Sequence, residues 1–257
     1  MQKISLVAFL GNVGDKYKNN RHNSAWLFCD SLPYAGSLVW HEKFKGHYAV
    51  HEFDRYGEKE QVYFLKPDTF MNLSGESIQA LAAFYKIKPE SILVVHDELE
   101  LPCGTVSLKW SGGLGGHNGL RSTKEMLGTA DFWRLRFGIG RPEHKDIAGY
   151  VLSDFTADER IILSQIFPQV AELLDTLFIK GPESQLDAWK KRNLAPPSKE
   201  ENMKENEAKK AANFDGDTEN QIPAGLNPSV CDPAERAEAE KAFGRLYDIV
   251  KTLRAPG

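Results

Sequence analysis

The sequence has few cysteines, and its charge is nearly balanced. The three cysteines, Cys29, Cys103 and Cys231, lie far apart, and no Cys-x-x-Cys occurs. This pattern excludes a disulfide framework and a zinc ribbon, and it is typical of a protein in a reducing cytoplasm. The net charge of −4 excludes a general polycation, so any contact with nucleic acid requires a local basic patch.

Long apolar runs are also lacking. No run approaches the roughly 20 apolar residues that a membrane-spanning helix requires. The apolar run at the N-terminus ends at Gly11 and Asn12 without a small-residue cleavage site, so it predicts a first strand rather than a signal peptide. We therefore expect a cytoplasmic protein that does not bind a membrane.

Signature motifs of several enzyme classes are missing as well. Gly-x-Ser-x-Gly is absent, which argues against an acyl-enzyme and favours direct attack by water. Residues 113–118 lack the third glycine of Gly-x-Gly-x-x-Gly, so a nucleotide cofactor is poorly supported. No metal-ligand spacing joins His22, His96, Asp97 and His117. We expect no metal and no cofactor, and a metal hydrolase that uses His22, His96 and Asp97 is the weaker alternative.

Apolar strands and amphipathic helices alternate up to about residue 191. Residues 4–10 are nearly all apolar, as expected of a strand buried on both faces, and residues 91–97 predict another strand, with four consecutive apolar residues before a histidine–aspartate pair. Residues 38–40 predict a shorter strand. Residues 76–85 have apolar side chains at helical spacing. Residues 156–178 predict a helix that Pro168 kinks or splits. The alternation predicts an α/β domain in which helices cover both faces of a central sheet.

The composition changes after about residue 191. Residues 192–232 contain few core-forming side chains and predict a polar, disordered linker. Residues 233–257 regain an apolar stripe and predict a C-terminal amphipathic helix. This helix packs back on the domain or contacts an unknown partner, and the sequence does not decide between the two. The chain thus divides into a domain of residues 1–191, a linker and a terminal helix.

His22 and Asp97 are the candidate catalytic pair. His22 lies near the start of a helix that Asn20 or Asn23 is predicted to cap, and Asp97 ends a buried strand. A carboxylate can fix the tautomer of a histidine and stabilise its charged form, which makes such a pair a usable general base for water. Taken alone, His22 also fits a solvated histidine, and Asp97 fits a cap or a structural salt bridge.

A glycine-rich loop at residues 111–120 contains five glycines and precedes a predicted helix. Backbone N–H groups at such a helix start suit a phosphate. Seven basic residues flank this loop: Lys109, Arg121, Lys124, Arg134, Arg136, Arg141 and Lys145. They predict a phosphate-binding flank, with a solvated charged face as the alternative.

Three asparagines, Asn12, Asn72 and Asn118, stand in turn-rich or glycine-rich surroundings. Amides can recognise peptide groups and stabilise a developing oxyanion, although asparagine also simply favours turns. Tyr17 and Phe70 could stack on a base or pack on a substrate side chain, with a place in the core as the alternative.

Six motifs occur in a characteristic order. They are Leu-Gly-Asn-Val-Gly at 10–14, Arg-His-Asn at 21–23, Phe-Met-Asn-Leu-Ser-Gly at 70–75, His-Asp-Glu-Leu-Glu-Leu-Pro at 96–102, Gly-Gly-His-Asn-Gly-Leu at 115–120 and Arg-Leu-Arg-Phe-Gly-Ile-Gly-Arg-Pro at 134–142. Together they resemble the bacterial peptidyl-tRNA hydrolases over residues from about 4 to about 191. Each motif alone is weak, and the six in this order are highly specific.

This resemblance implies a monomeric three-layer α/β/α single domain with a mixed twisted sheet, followed here by a C-terminal extension. It implies metal-free hydrolysis of the ester that joins a peptide to the 3′ ribose of tRNA. His22 would be the base that activates water, Asp97 would hold it in its basic form, and Asn12 would separate peptidyl-tRNA from free aminoacyl-tRNA. Four residues would line the cleft for the acylated tRNA end: Tyr17, Phe70, Asn72 and Asn118. Lys109 and Arg136 would bind phosphate of the acceptor stem.

The sequence departs from the family pattern at three positions. Val13 replaces a proline, so we expect a looser turn with Asn12 still in place. Leu114 stands where a polar residue is common, and Ser107 stands where a lysine can sit, which weakens the expected phosphate clamp. The extension has no counterpart in the family pattern. An RNA-binding module that has lost catalysis is a further alternative, but the chain retains both His22 and Asp97.

Overall fold

An eight-stranded mixed sheet lies at the centre of the protein; the computed structural model describes residues 2–142 and 146–196. The strands are β1 Leu6–Phe9, β2 His41–Lys43, β3 Gly46–Arg55, β4 Glu58–Pro67, β5 Ile92–Glu98, β6 Thr105–Trp110, β7 Trp133–Gly138 and β8 Arg192–Asn193. The α-helices of these described ranges are α1 Ser24–Ser31, α2 Ser74–Phe84, α3 Asn118–Leu127, α4 Ile147–Val151 and α5 Ala157–Lys180.

Parallel pairing is confined to the middle of the sheet. The strand order is β2-β3-β4-β1-β5-β7-β6-β8. β1 runs parallel to β4 and β5, and β5 runs parallel to β7. The outer pairs are antiparallel. Since functional groups of parallel strands gather at the carboxyl ends of those strands, β1 and β5 are placed to bring Asn12 and Asp97 to the same edge.

Side chains of β1 alternate between two hydrophobic cores, because successive residues of a strand point to opposite faces. Val7 and Phe9 pack with α1 and α5 on one face. Leu6 and Ala8 pack with α2 and α3 on the other face. The helices therefore cover both faces of the sheet, and the predicted three-layer α/β/α architecture with a mixed sheet is confirmed.

The longest helix, α5, is continuous through Pro168, where the sequence predicted a kink or a split. Its start is fixed by a capping box between Thr156 and Glu159. By length and composition α5 could cross a membrane, which the search for apolar runs did not foresee. However, it packs in the core through residues such as Val170, Leu174 and Leu177, which are all fully buried. This is the environment of a core helix in a soluble domain.

The edges of the sheet differ from the sequence-based expectations. The short strand predicted at residues 38–40 lies instead at β2, where its pairing with β3 is set by a two-residue turn at Phe44 and Lys45. At the other edge, β8 pairs with β6, so the sheet extends past the predicted domain end at residue 191. The linker from residue 197 onward, the predicted C-terminal helix and Lys145 lie outside the described residues.

Candidate active site

Asp97 is the centre of the candidate site. It is the penultimate residue of β5, and its side chain is only 2% exposed. Its Oδ1 is 2.8 Å from Nδ1 of His22 and 3.0 Å from Nε2 of His117. Burial alone would raise the pKa of Asp97, but the two histidines outweigh burial and hold this pKa well below its usual range. The carboxylate is therefore ionised and can only accept hydrogen bonds.

His117 supplies one of these hydrogen bonds because it also caps α3. Its Nδ1 accepts from the backbone N–H groups of Gly119, at 3.1 Å, and Leu120, at 3.3 Å. A ring nitrogen that accepts carries no proton, so neutral His117 has its proton on Nε2 and donates it to Asp97. The helix cap thus selects the tautomer that stabilises the carboxylate. No catalytic role was predicted for His117 from the sequence, although it lies just before a predicted helix.

His22 holds the opposite tautomer. Since Asp97 only accepts, Nδ1 of neutral His22 donates to it, and Nε2 retains a lone pair. Burial lowers the pKa of His22, but the charge and hydrogen bond of Asp97 outweigh this effect and raise the pKa above its ordinary value. The side chain is 11% exposed, so a small molecule can reach it. This arrangement leaves Nε2 with a lone pair that could accept a proton.

Arg21 anchors the short 3₁₀ turn, Arg21–Asn23, that carries His22. Its guanidinium donates to Glu159 at 2.6 Å and to Oγ of Ser153 at 2.6 Å, and it stacks over the ring of Tyr150 at 4.4 Å. Arg21 itself is buried. The turn is therefore fixed to α4, to α5 and to the segment between them, which limits the positions that the imidazole can adopt.

Asn23 occupies the N-cap position of α1, one of the two positions that the sequence predicted, but its side chain holds Asn12 and does not bond to the helix. Its side-chain amide accepts from the backbone N–H of Asn12 at 2.8 Å and donates to the backbone carbonyl of Asn12 at 2.9 Å. The side chain of Asn12 in turn accepts from the N–H of Met71 at 2.9 Å through Oδ1. Asn12 is therefore held from three sides, and its Nδ2 is the group left to donate to a substrate.

The predicted cleft residues lie on turns next to these groups. Phe70 and Asn72 flank Met71 and are both exposed, and Asn118 is the exposed first residue of α3. A Cβ at Gly119 would lie 2.6 Å from Sδ of Met71, so glycine lets the start of α3 approach this turn without moving the methionine side chain. Tyr17 is half-buried on a neighbouring 3₁₀ turn, and its backbone carbonyl accepts from the N–H of Asn20 at 2.9 Å. These residues are therefore neighbours in the chain of Met71, His117 and the Arg21–Asn23 turn, whose contacts with the site are described above.

A basic band lies on the face of the sheet opposite to the core of α1 and α5. We define it as Lys109, Arg134, Arg136 and Glu98. The strand register places Arg134 opposite Lys109 and Arg136 opposite Ser107, and residues opposite each other share a face of the sheet. Burial and the two arginines lower the pKa of Lys109. Close packing of cations therefore distinguishes the band from an ordinary solvated face.

Ser107, one of the departures from the family pattern, supports Arg136. Its Oγ accepts from Nη2 of Arg136 at 2.7 Å and donates to the backbone carbonyl of Lys190. A lysine at this position would face Arg136 directly across the strands and repel it. The serine removes one cation from the band and gives Arg136 a fixed acceptor.

Arg134 anchors the glycine-rich loop. Its buried guanidinium donates to the carbonyls of Gly112 and Gly113, at 2.7 Å each. Ser111 and Gly112 both have positive φ, 48° and 92°, which bring these carbonyls back over β7. Arg134, one of the predicted phosphate-binding residues, therefore binds the loop backbone instead of a ligand. Arg141, another of them, forms an exposed ion pair with Glu100.

A metal ion in this site would conflict with the cap of α3. Among the described residues, the side chains close enough to share a metal are His22, Asp97 and His117, with ligand atoms within 4.8 Å of one another. Coordination through Nε2 of His117 would move its proton to Nδ1, and Nδ1 could then no longer accept from the helix N–H groups. His96, which the metal hypothesis had included, is fully buried behind His117, and its Nδ1 lies 2.6 Å from the backbone carbonyl of Asp97.

The fold and the site define the class: an α/β domain in which a buried aspartate pairs with two histidines at the carboxyl edge of the parallel strands. A family model described as peptidyl-tRNA hydrolase matches residues 6–197. The chain belongs to this family, and the resemblance drawn from the six motifs is confirmed.

Relatives and solved structures agree with this assignment. The chain is 48% identical over 197 residues to a peptidyl-tRNA hydrolase of Treponema pallidum, a match that covers 74% of this chain and 96% of that protein. It is 51% identical over 164 residues to one of Desulfitobacterium hafniense, which covers 63% and 86% of the two chains. The crystal structure of a peptidyl-tRNA hydrolase from Acinetobacter baumannii superposes with a TM-score of 0.66 at 33% identity, and it covers 77% of this chain and 98% of that one.

Proposed function

We propose that this protein hydrolyses the ester bond between the peptide and the 3′ ribose in peptidyl-tRNA, and so releases free tRNA for reuse in translation. Family membership and the names of its relatives support the substrate class. The observation that carries the mechanism is the shared carboxylate oxygen of Asp97, which accepts from both rings and leaves Nε2 of His22 free.

In the proposed reaction, Nε2 of His22 removes a proton from a water molecule as its oxygen attacks the ester carbonyl carbon. The tetrahedral intermediate then collapses, the bond to the 3′ oxygen breaks, and His22 returns the proton to that oxygen. The products are a peptide with a free carboxyl group and a tRNA with a 3′ hydroxyl. Asp97 stabilises the imidazolium that exists between the two proton transfers, with the support of His117.

Asn12 provides a physical basis for selecting peptidyl-tRNA. Its Oδ1 is engaged by Met71, so it offers the substrate a donor, Nδ2. The blocked amino group of a peptidyl substrate carries a neighbouring carbonyl that can accept this hydrogen bond. A free aminoacyl-tRNA has an ammonium group at the same place, which only donates and would leave Nδ2 without a partner.

The remaining predicted residues are proposed to bind the substrate. Exposed Phe70 and half-buried Tyr17 offer ring surfaces for the acylated tRNA end, and Asn72 and Asn118 offer amides beside the base. Lys109 and Arg136 are proposed to bind phosphate of the acceptor stem, since their positive charges lie together in the basic band.

We also propose that the enzyme acts as a monomer in the cytoplasm, and that its C-terminal extension packs on the domain or contacts a partner. Its membership of a translation-related family and its cysteine usage support the compartment. Light scattering at two protein concentrations would test the monomer, and a mass that doubles would contradict it.

A comparison of blocked and free substrates tests the proposed function. The intact protein should cleave N-acetyl-aminoacyl-tRNA but not aminoacyl-tRNA in the presence of EDTA, and His22→Ala should abolish the cleavage. Loss of activity in EDTA that zinc restores would favour the metal alternative. Binding of tRNA without cleavage by the intact protein would favour an RNA-binding module.

A further inference from the structure

Glu98 forms an ion pair with Arg136, the residue that we propose to bind an RNA phosphate. Its Oε2 lies 3.2 Å from Nη1 of Arg136, and the two side chains are only 13% and 17% exposed. The other terminal nitrogen of Arg136 donates to Ser107 at 2.7 Å. Both terminal nitrogens of the Arg136 guanidinium are therefore engaged inside the protein. An anion that approaches Arg136 must replace a carboxylate or bind next to one.

Glu98 is held in this place by more than its ion pair. Strand alternation turns it to the side of the sheet opposite to Asp97, towards the glycine-rich loop. Its Oε1 accepts from the N–H of Glu100 at 3.3 Å and would lie 3.6 Å from a Cβ at Gly115. The carboxylate is thus covered by the same loop that leads to His117 and Asn118.

The charges of the basic band suit an exchange of anions. Both terminal nitrogens of Arg134 donate to carbonyls of the glycine-rich loop. Of the cations in the basic band, Lys109 and Arg136 are therefore the two that can bind a ligand. Burial and the neighbouring arginines lower the pKa of Lys109, while Glu98 acts in the opposite direction. The band therefore has excess positive charge with one internal anion inside it.

We propose that Glu98 is an internal competitor for the RNA phosphate at Arg136, and that it limits how tightly the enzyme binds tRNA. This inference rests on the proposed function, because it takes Arg136 as a phosphate-binding residue. Phosphate binding displaces the carboxylate, and the carboxylate re-forms its ion pair when tRNA leaves. Weaker binding of both substrate and product favours release of deacylated tRNA, a step that limits turnover in many enzymes.

A different role for Glu98 predicts the opposite result. If the carboxylate only orients Arg136 for its ligand, then its removal misplaces the guanidinium and weakens tRNA binding. If it competes with the ligand, then its removal strengthens binding. The sign of the change in affinity therefore separates the two roles, and loss of packing alone would not produce a gain.

The test compares Glu98→Gln with Glu100→Gln. Both remove one negative charge from the same segment, but Glu100 is exposed and pairs with Arg141 instead of Arg136. The dissociation constant of deacylated tRNA is measured at several salt concentrations. We expect Glu98→Gln to lower it about three- to tenfold at each salt concentration, since no carboxylate then competes with the phosphate at Arg136. Glu100→Gln should change it much less.

An unchanged or weaker affinity in Glu98→Gln would overturn the inference, as would an equal gain in Glu100→Gln. The gain should also disappear when Glu98→Gln is combined with Arg136→Gln, and a gain that persists there would place the effect elsewhere. Thermal unfolding of each variant checks that it is folded. Because binding is measured without hydrolysis, this test is separate from the test of the proposed function: an intact protein that cleaves peptidyl-tRNA while Glu98→Gln binds tRNA no more tightly contradicts the competitor role alone.

Discussion

The catalytic centre and the basic band are held in place by different kinds of contact. At the centre, hydrogen bonds between side chains and turns fix Asp97, His22 and His117. In the band, the positions of Arg136 and Lys109 follow from the register of β6 and β7. The centre therefore depends on individual atoms, and the band depends on the sheet and on the balance of charges.

This difference has a consequence for substitutions. A change in the centre alters the tautomer or the pKa of the base and should reduce kcat. A change in the band alters the number of charges that face RNA and should alter KM with kcat retained. Substitutions from the two regions should therefore separate in their kinetics, and the size of the effect should fall from the centre to the band to the extension.

The largest effect is expected for His22→Ala. The variant lacks the base, so kcat should fall about 10²- to 10⁴-fold, the usual contribution of general base catalysis. KM should change little, because the rest of the cleft is retained. Single-turnover rates with N-acetyl-aminoacyl-tRNA measure this effect, and His41→Ala on the exposed edge strand β2 is the control. Retention of more than a tenth of the activity would contradict the role of His22.

Asp97→Asn should reduce kcat/KM about 100-fold, since the neutral amide no longer stabilises the imidazolium. The pH profile gives the sharper test. Asp97 raises the pKa of His22 above the ordinary value of a histidine. Because the neutral form of His22 is the proposed base, activity of the intact enzyme should fall as the pH is lowered through this raised pKa. Without the carboxylate this pKa falls, and the acid limb should move to lower pH. An acid limb that stays in place would show that another group controls it.

His117→Asn separates the two roles of His117. Asparagine is a good N-cap, so the start of α3 should be retained, but its short amide cannot also reach Asp97. We expect kcat/KM to fall about tenfold, or about 1.4 kcal/mol in transition-state terms, with thermal stability nearly unchanged. His117→Ala loses the cap as well, and its free energy of unfolding should fall by about 1 kcal/mol more. Equal activity in His117→Asn and the intact enzyme would limit His117 to a structural role.

Arg136→Gln should raise KM for peptidyl-tRNA about three- to tenfold and reduce the salt dependence of log K by about 1, with kcat retained. The amide can still donate to Ser107, so the variant should fold normally. Steady-state kinetics at two salt concentrations measure both quantities. A loss confined to kcat would place Arg136 with the centre and remove the contrast between the two regions.

The smallest effect is expected for removal of residues 197–257. This cut retains β8, whose pairing with β6 shows that a cut at residue 191 would remove part of the sheet. The family match ends at residue 197, so hydrolysis should be largely unchanged. A loss of tenfold or more in kcat/KM, about 1.4 kcal/mol, would show that the extension belongs to the working enzyme.

Local patterns in the sequence were sufficient to predict most of the fold. The apolar run at β5 and the spacing of α2 depend on neighbouring residues, and the structure places both elements where they were expected. β2 was misplaced, because its position depends on pairing with β3 across a turn at Phe44 and Lys45 and not on its own composition. Asp97 and His22 were predicted as a pair from their residue types and from the resemblance to the family.

The support of the site could not be read from the sequence. The role of His117 depends on Asp97 lying 3.0 Å from its Nε2, a contact between two separate elements. Asn23 lies at the N-cap position of α1, one of the two predicted positions, but the contact of its amide with the backbone of Asn12 was not predicted. The ion pair of Glu98 with Arg136 and the loop contacts of Arg134 require the register of β5, β6 and β7. Each of these contacts joins residues that are distant in the chain.

The ring tautomers of His22 and His117 test the central claim most directly. Nitrogen-15 NMR of the ring nitrogens, recorded above the pH at which His22 is protonated, distinguishes a protonated nitrogen from one with a lone pair. The proposed mechanism requires opposite tautomers, with the proton on Nδ1 in His22 and on Nε2 in His117, and loss of the His22 preference in Asp97→Asn. A proton on Nε2 of His22 in the intact enzyme would contradict it, because the proposed base would then have no lone pair to accept the proton of water.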